Sequence, residues 1–332
     1  TGDVIVAEGA KLVINAGTTV NIKADAFIEV EGAICAGLAS CGASQASASS
    51  PVRLNWAPPA DSSVVGRCSV QGDNLLNNPD PACGSGVIIR NTINQASTGL
   101  SHVTFDKAYG YPIYVQSESR YLTAALIFDG SSLNADHLTF TDINTTNVLA
   151  IDFAAPTIRD SVFSLGIDGL GNTGGGVAAY NAGAGILSKL TVIDSEFTGD
   201  SEASCDDVIS LIYSQDSFID LDRIEIKDSA GGIFLRGSSG SFGNSTLDVK
   251  CNGIDTNSLK MTGDFSHTLY INNNQITTAD GAGITAYDGA KISASGNTIS
   301  GAAQGSGFGI RDSEVSAHQN TIGPIGGFNG FW

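Results

Sequence analysis

Short segments in which apolar and polar residues alternate run along the whole chain, separated by glycine, asparagine and aspartate. Alternation with a period of two predicts β-strands that bury one face. Near the amino terminus the apolar positions Val4, Leu12, Val20 and Ile28 recur eight residues apart, so that three intervals make 24 residues. This interval predicts a coil with about three strands in each turn, each strand followed by a corner.

The carboxy-terminal half repeats a similar design at longer intervals. Four segments, STLDVKCNGID, HTLYINNNQIT, GAKISASGNTIS and DSEVSAHQNTIG, align so that apolar residues fill three columns and asparagine fills a fourth. The last apolar column contains Ile254, Ile276, Ile299 and Ile322, at intervals of 22, 23 and 23 residues. A repeat of this length predicts a solenoid in which neighbouring turns stack, because a single turn cannot bury its own inner face.

The asparagine column contains Asn252, Asn274, Asn297 and Asn320. Stacked turns bring equivalent positions to about 4.8 Å from one another, the separation of paired strands. A carboxamide has donors and acceptors, so it can hydrogen-bond to the residues above and below it. Asparagine also tolerates the left-handed backbone of a corner. We therefore predict an internal corner ladder, with ligand binding by these four residues as the alternative.

The pattern G-I-x-(x)n-I-x-A-x-x-N-x-I, as in GAGITAYDGAKISASGNTIS, resembles the repeat of right-handed parallel β-helix proteins. The opening DVIVAEGAKLVINAGTTVNIKADAFIEVEGAI resembles the start of extracellular surface proteins of this pectate-lyase-like superfamily. The resemblance covers nearly the whole chain. It implies an all-β fold, a right-handed parallel β-helix solenoid with loop insertions and an internal Asn ladder. It implies no single activity, because the fold carries lyases, hydrolases, adhesins and phage spikes.

We expect one domain over residues 1–332, with loop excursions at 38–51 and 57–84 that are rich in small and polar residues. The chain opens at Thr1 without an initiator methionine, so we expect a processed or excised chain. No apolar run approaches the roughly 18 to 20 residues of a transmembrane helix.

Six cysteines are spread along the chain, and none has the C-x2-C spacing of a zinc site. We predict three disulfides that close loops in an oxidising compartment, so the expected location is extracellular or at the cell surface. Scattered buried thiols are the alternative. N-x-S/T acceptor sites at Asn144 and Asn244 fit this location if the source organism glycosylates. The predicted disulfides are Cys35–Cys41, Cys68–Cys83 and Cys205–Cys251.

The chain is acidic, since 34 carboxylates against 16 lysines and arginines give a net charge of −18. Nucleic acid and anionic membranes are poor partners for such a surface, and a polyanionic saccharide would need a local basic groove. The four histidines are scattered, and their spacing indicates no metal site. We expect no cofactor, although calcium could bind acidic loop residues. Those residues are Asp200, Glu202, Asp206 and Asp207.

Catalytic candidates are few. Asp206 and Asp207 in CDDVISL resemble the paired aspartates of polygalacturonase-like members, but no histidine stands where a G-H-G motif would be wanted. Adjacent carboxylates on a strand face opposite sides, whereas hydrolysis needs two carboxylates across one bond. Pectate-lyase-like members need a calcium-binding cluster of carboxylates and an arginine or lysine base. Arg236 and Arg311 lie in equivalent strands, but no carboxylate cluster marks their surroundings.

The best binding candidate is the aromatic segment AYGYPIYV, in which Tyr109, Tyr111 and Tyr114 could stack on sugars. Ordinary strand aromatics are the alternative. The sequence as a whole favours a non-catalytic extracellular structural protein, either self-assembling as a filament or surface-layer subunit or adhesive. Its expected partners are copies of itself end to end, or a surface polysaccharide. The alternative is a carbohydrate-active enzyme, a lyase or a glycoside hydrolase, or a carbohydrate-binding adhesin.

Overall fold

A computed structural model describes most of the chain, and its described part is built almost wholly of β-strands with one short 3-10 helix at Ala39–Cys41. That part contains no helix long and apolar enough to cross a membrane. The described residues are 2–41, 46–58, 85–90, 98–115, 120–143, 145–165, 175–181, 188–201, 205, 210–257, 268–301 and 306–323.

The chain divides into two compact units, Thr1–Leu190 and Thr191–Trp332. The strands of the first unit are β1 (Val4–Val6), β2 (Lys11–Ile14), β3 (Thr19–Ile22), β4 (Phe27–Val30), β5 (Ala33–Ala36), β6 (Val52–Trp56), β7 (Gly86–Arg90), β8 (Gly99–Ser101), β9 (Val103–Asp106), β10 (Tyr111–Val115), β11 (Arg120–Asp129), β12 (Asn134–Asp136), β13 (Thr139–Ile143), β14 (Thr146–Ile151), β15 (Thr157–Arg159), β16 (Val162–Leu165), β17 (Val177–Tyr180) and β18 (Lys189–Ile193), which crosses the boundary.

The strands of the second unit are β19 (Glu196–Thr198), β20 (Ile212–Gln215), β21 (Phe218–Asp222), β22 (Glu225–Ser229), β23 (Ile233–Arg236), β24 (Ser239–Gly243), β25 (Thr246–Val249), β26 (Ile254–Asn257), β27 (Thr268–Asn272), β28 (Gln275–Thr278), β29 (Ile284–Tyr287), β30 (Lys291–Ser295), β31 (Thr298–Ser300), β32 (Phe308–Arg311), β33 (Glu314–His318) and β34 (Thr321–Ile322).

Each unit is a parallel β-helix, because its strands form three sheets in which pairing partners come from successive turns. In the first unit the sheet orders are β1-β4-β7-β11-β14-β17, β2-β5-β8-β12-β15-β18 and β3-β6-β9-β13-β16. The hairpin partner β10 is the exception, since it pairs antiparallel with β11. Val4 pairs with Ile28, so the predicted turn of 24 residues is confirmed.

The second unit has the sheet orders β20-β23-β26-β29-β32, β21-β24-β27-β30-β33 and β19-β22-β25-β28-β31-β34. Here the predicted columns hold for the last three repeats, because Ile276, Ile299 and Ile322 are successive partners in the third sheet. The first repeat was aligned wrongly. Leu247 pairs with Ile276, and Ile254 belongs to the first sheet.

The misalignment has a simple cause in the spacing of the repeat. The true partners of the later columns are Gly240, Phe242, Ser245 and Leu247, which have the same internal spacing as the four positions seven residues further on. Only one of these four true partners is aliphatic, so the pattern favoured the displaced set. Asn252 is therefore not a member of the ladder, which is a correction to the sequence prediction.

The ladder itself consists of three asparagines and a serine at one corner. Asn297 Oδ1 accepts hydrogen bonds from the backbone N and the Nδ2 of Asn274, both at 3.0 Å. Asn320 Oδ1 accepts in the same way from Asn297, at 3.0 and 2.9 Å. Ser245 holds the next position, where its N donates to Asn274 Oδ1 at 3.0 Å. The buried carboxamides of Asn274 and Asn297 are thereby satisfied.

The first unit packs its third sheet around a column of stacked aromatic rings. Trp56, Phe105, Phe140 and Phe163 are fully buried, and successive ring centroids are 6.4, 4.8 and 5.2 Å apart. Phe105, Phe140 and Phe163 occupy the same position in successive turns, whereas Trp56 lies two residues beyond Leu54, the strand partner of Phe105. Large aromatic side chains contribute much of the burial energy of a core, so this column fixes the register of the third sheet.

Candidate functional site

The outer face of the first sheet in the second unit gathers polar and aromatic side chains. In β20, β23, β26 and β29 the inward residues are buried, and the alternate residues point away from the coil. One outward row, from strand to strand, is Tyr213, Phe234, Asp255 and Thr285. A second row, two residues further along each strand, contains Gln215, Arg236, Tyr287 and Arg311.

Tyr213 and Phe234 form an aromatic platform at one end of the first row. Their ring centroids are 5.6 Å apart with an angle of 30° between the planes, and both side chains are half-buried. The Tyr213 hydroxyl donates to Gln215 Oε1 at 2.8 Å, so the two rows are linked along the strand. Partly exposed rings with a polar edge are the usual lining of a binding groove.

Asp255 follows the platform in the same row and is the acid–base candidate of this face. Burial raises the pKa of Asp255 from 3.8 to about 6, and a hydrogen bond from Asn252 opposes that rise. Asn252 Nδ2 donates to Asp255 Oδ2 at 3.1 Å, and the Thr285 hydroxyl donates to Asp255 Oδ1. A carboxyl group with a pKa near neutrality can take or give a proton at physiological pH.

Asn252 is held in place by the backbone of the next turn. Its Oδ1 accepts a hydrogen bond from Ala282 N at 2.8 Å, while its Nδ2 reaches Asp255. Gly281 makes room for this contact, because a Cβ at that position would lie 2.4 Å from Asn252 Oδ1. The asparagine that the sequence placed in the ladder therefore positions a carboxylate on the outer face.

Arg236 lies on this face one strand away from Asp255 and two residues beyond Phe234. Its Nε is buried and has no hydrogen-bond partner among the described residues. Further along the row, the Arg311 guanidinium lies 5.8 Å from the Tyr287 ring centroid and 3.3 Å from Asp288 Oδ1. The two arginines predicted to occupy equivalent strands therefore share one row, and Asp255 is the nearby carboxylate that sequence patterns did not reveal.

The first unit contains a second polar cluster, centred on Arg90 at the end of β7. Arg90 Nε donates to Glu29 Oε1 at 2.6 Å, and the guanidinium also pairs with Asp129. Burial raises the pKa of Asp129, against the effect of Arg90, and burial likewise raises the pKa of Asp152, its hydrogen-bonded neighbour. Two carboxylates already neutralise this guanidinium, so the cluster is suited to linking turns rather than to holding a ligand.

The predicted tyrosine platform lies beside this cluster and is not formed as expected. Tyr109 is buried, with its N donating to Ser85 Oγ at 2.7 Å, so it is not an exposed stacking surface. Tyr111 is half-buried and packs edge-on against Phe27, with ring centroids 4.8 Å apart. Gly110, with φ at 97°, separates the two tyrosines and breaks the alternation that would put them on one face. The side chain of Tyr114 lies outside the described residues.

Two of the predicted disulfides are present, Cys35–Cys41 and Cys205–Cys251.

Asn244 occupies a left-handed corner, where its Nδ2 donates to Asp222 Oδ1 at 2.8 Å. Its glycosylation stays a prediction. The predicted residues that lie outside the described part of the chain are Cys68, Cys83, Asn144, Glu202, Asp206 and Asp207.

Three parallel sheets built from successive turns define the class of protein as a parallel β-helix, and the comparison with protein families agrees. A family model described as the right handed beta helix region matches residues 124–322. The chain belongs to this family, and the predicted right-handed parallel β-helix is confirmed.

No curated protein matches the chain. Among solved structures, the crystal structure of the periplasmic alginate epimerase AlgG is similar, with 11% identity and a TM-score of 0.40. The match covers 97% of this chain and 77% of that one. A similarity at this level says nothing about the substrate of this chain.

Proposed function

We propose that this protein is an extracytoplasmic carbohydrate-active enzyme that binds a polysaccharide containing acidic sugars along the outer face of the first sheet in the second unit. The observation that supports this most directly is Asp255, whose pKa is raised to about 6 beside an aromatic platform and a buried guanidinium nitrogen. The two disulfides support an oxidising compartment.

The face matches the chemistry of such a substrate. Tyr213 and Phe234 offer apolar ring faces on which a sugar can stack. Arg236 and Arg311 supply the local positive charge that an acidic saccharide needs on a chain of net charge −18. Strands stack at about 4.8 Å, so four neighbouring strands present a strip long enough for a short run of sugar units.

One carboxylate beside a cation favours proton abstraction over hydrolysis. Hydrolysis requires two carboxyl groups on opposite sides of the scissile bond. Asp255 would instead accept the proton from the carbon next to the sugar carboxylate, and Arg236 would stabilise the negative charge that develops on that carboxylate. Departure of the glycosidic oxygen with its bonding electron pair, followed by its protonation by solvent, then gives elimination, whereas addition of a solvent proton to the opposite face of the carbanion gives epimerisation.

The test is a screen of the purified full chain against neutral and acidic polysaccharides, with binding and product formation measured separately. We expect binding and turnover of an acidic polysaccharide, detected as an unsaturated or epimerised product. Asp255→Asn should keep binding and lose turnover by at least about a hundredfold, the usual contribution of a general base. Arg236→Gln should lose both.

A matched control is Asp248→Asn, which removes an exposed carboxylate from β25 in the third sheet. It should leave binding and turnover unchanged. The proposal fails if no acidic polysaccharide binds, or if Asp255→Asn turns over substrate at the rate of the unmodified chain. If the unmodified chain binds a polysaccharide but does not turn it over, the protein would instead be a carbohydrate-binding adhesin.

An extracellular structural role, self-assembling or adhesive, is the second candidate. Hydrogen bonds and ion pairs that join adjacent turns without a ligand favour this role. Examples in the second unit are the Asn ladder, the Lys227–Glu196 pair at 2.5 Å and the Lys291–Glu314 pair at 3.2 Å. Negative-stain electron microscopy with light scattering on native material tests it. Filaments would support assembly, and strictly monomeric particles at high concentration would oppose it.

A further inference from the structure

Two histidines that are far apart in the sequence lie against each other at a corner of the first unit. The ring centroids of His102 and His137 are 4.1 Å apart, with an angle of 23° between the planes. Both residues have left-handed backbones, with φ of 50° and 51°. Each follows a second-sheet strand of successive turns, and His102 N donates to Asp136 O at 3.1 Å.

Asp136 completes a group of three side chains that can hold a metal ion. One ligand atom from each of His102, Asp136 and His137 lies within 4.8 Å of the other two. Asp136 Oδ1 accepts hydrogen bonds from Ser101 Oγ at 2.6 Å and from His137 Nδ1 at 2.9 Å. These bonds orient the carboxylate and, among the described residues, leave His137 Nε2 available to a metal ion, which is the arrangement of partners that supports metal-binding histidines.

The left-handed backbone of these two corners does not by itself require a histidine. Left-handed corners favour glycine, and among other residues asparagine, aspartate and histidine. The next turn of the first unit has Asp160, with φ of 49°, at this corner. Two successive imidazoles at such positions, stacked and beside a carboxylate, bring three metal-binding groups to one edge of the solenoid.

We propose that His102, Asp136 and His137 bind a divalent transition-metal ion of the Zn²⁺ class. Two imidazole nitrogens and one carboxylate oxygen suit zinc, nickel and copper, whereas calcium and magnesium prefer ligand sets made of oxygen. Zinc in proteins usually has four ligands in a tetrahedral arrangement, so three protein ligands leave one coordination position for water.

The bound ion would link two adjacent turns, as a disulfide would, at a corner where the two imidazole rings already stack on each other. Closure of the rings onto one ion requires a small rotation about their side-chain torsions, because zinc–nitrogen bonds are about 2.0 to 2.1 Å long. Side chains at the surface can make this adjustment. His137 and Asp136 are open to solvent, with 46% and 38% of their side chains exposed.

The experiment uses the full chain, stripped with a chelator and dialysed, and titrates it with ZnCl2 and, separately, CaCl2 in a calorimeter. We expect one zinc ion per chain, no comparable calcium binding, and a higher thermal midpoint with zinc, because an ion that binds the folded state stabilises it. His102→Asn and His137→Asn, which keep a residue compatible with the left-handed backbone, should each weaken zinc binding at least about tenfold.

His318→Asn is the matched control, since it removes an exposed histidine of β33 whose Nε2 lies 3.0 Å from Ser316 Oγ. It should leave zinc affinity unchanged. The double variant of His102 and His137 separates this site from weak binding to the acidic surface. The proposal is overturned if the unmodified chain and the double variant bind zinc equally, or if zinc and calcium bind with the same affinity.

Discussion

Asn252 Nδ2 lies 3.1 Å from Asp255 Oδ2, within the same short segment that leads into β26. The amide favours the ionised form of the carboxyl group, whereas burial favours the protonated form and dominates. The balance sets the pKa of Asp255 at about 6. Both residues are placed by the stacking of turns, since Asn252 is fixed by Ala282 N in the turn that follows.

Removal of this amide should raise the pKa of Asp255 further. Asn252→Ala deletes a hydrogen bond that lowers this pKa, so we expect a rise of about one pKa unit, equal to about 1.4 kcal/mol. Carbon-13 NMR titration of the aspartate side chains measures the change directly. Asn273→Gly serves as the control, and an unchanged pKa in Asn252→Ala would show that the amide does not tune Asp255.

The titration of Asp255 should also make stability depend on pH. Its pKa is raised from 3.8 to about 6 on folding, so the folded chain binds more protons than the unfolded chain between these values. The contribution is full below about pH 4 and is lost as pH rises through about 6. We expect the stability of the unmodified chain relative to Asp255→Asn to fall by on the order of 2 to 3 kcal/mol between pH 4 and pH 7.

Urea unfolding of both chains at several pH values measures this difference, and the subtraction removes the effects of other acidic groups. A difference that stays constant, or that grows as pH rises, would contradict the raised pKa of Asp255.

A substitution at the centre of the Asn ladder should lower the free energy of unfolding. Asn297→Ala removes the acceptor of Asn274 N and Nδ2 and the donor to Ile271 O, in a fully buried setting. We expect a loss of about 2 to 4 kcal/mol in the free energy of unfolding, because several buried polar groups lose their partners. Asn297→Ser should lose less, since a serine fills the equivalent position at Ser245.

The ladder variants are compared with Asn273→Gly, which removes an exposed carboxamide at a corner where the next turn has Gly296 with φ of 68°. That change should cost less than about 1 kcal/mol. Equal losses in Asn297→Ala and Asn273→Gly, measured by urea unfolding, would count against the ladder.

The two disulfides should differ in their contribution. Cys205–Cys251 spans a sequence separation of 46 residues, and Cys35–Cys41 spans 6. Chain-entropy arguments give about 4 kcal/mol for the longer loop and about 2 kcal/mol for the shorter. Paired substitutions to alanine, compared by thermal unfolding, should therefore show the larger decrease for Cys205 and Cys251. The reverse order would point to strain or contacts in place of loop closure.

The sequence predicted the features that repeat and missed those that depend on one particular register. Val4 and Ile28 lie a whole turn apart in a segment without insertions, so their interval is visible in the sequence. Asn252 and Leu247 have the same spacing as the true members of their columns, which lie seven residues earlier. Periodicity alone could therefore not reject them. His102 and His137 meet although they are 35 residues apart, because their turn contains the hairpin of β10 and β11.

Asp255 was missed for a different reason. Its segment, GID, has no motif, and its environment is made by Phe234 and Thr285 on the neighbouring strands. Only the stacked structure shows that a carboxylate is buried there. A search for carboxylates that alternate outward on strands beside aromatic columns could have found it, once the correct register was known.

The most direct test of the proposed function is the pH dependence of turnover on the acidic polysaccharide that the screen identifies. If Asp255 is the general base, kcat/KM should rise tenfold per pH unit below a pKa near 6 and level off above it. Asp255→Asn should remove both the activity and this dependence while binding persists. A profile without a transition near pH 6, or one that Asp255→Asn leaves intact, would contradict the account.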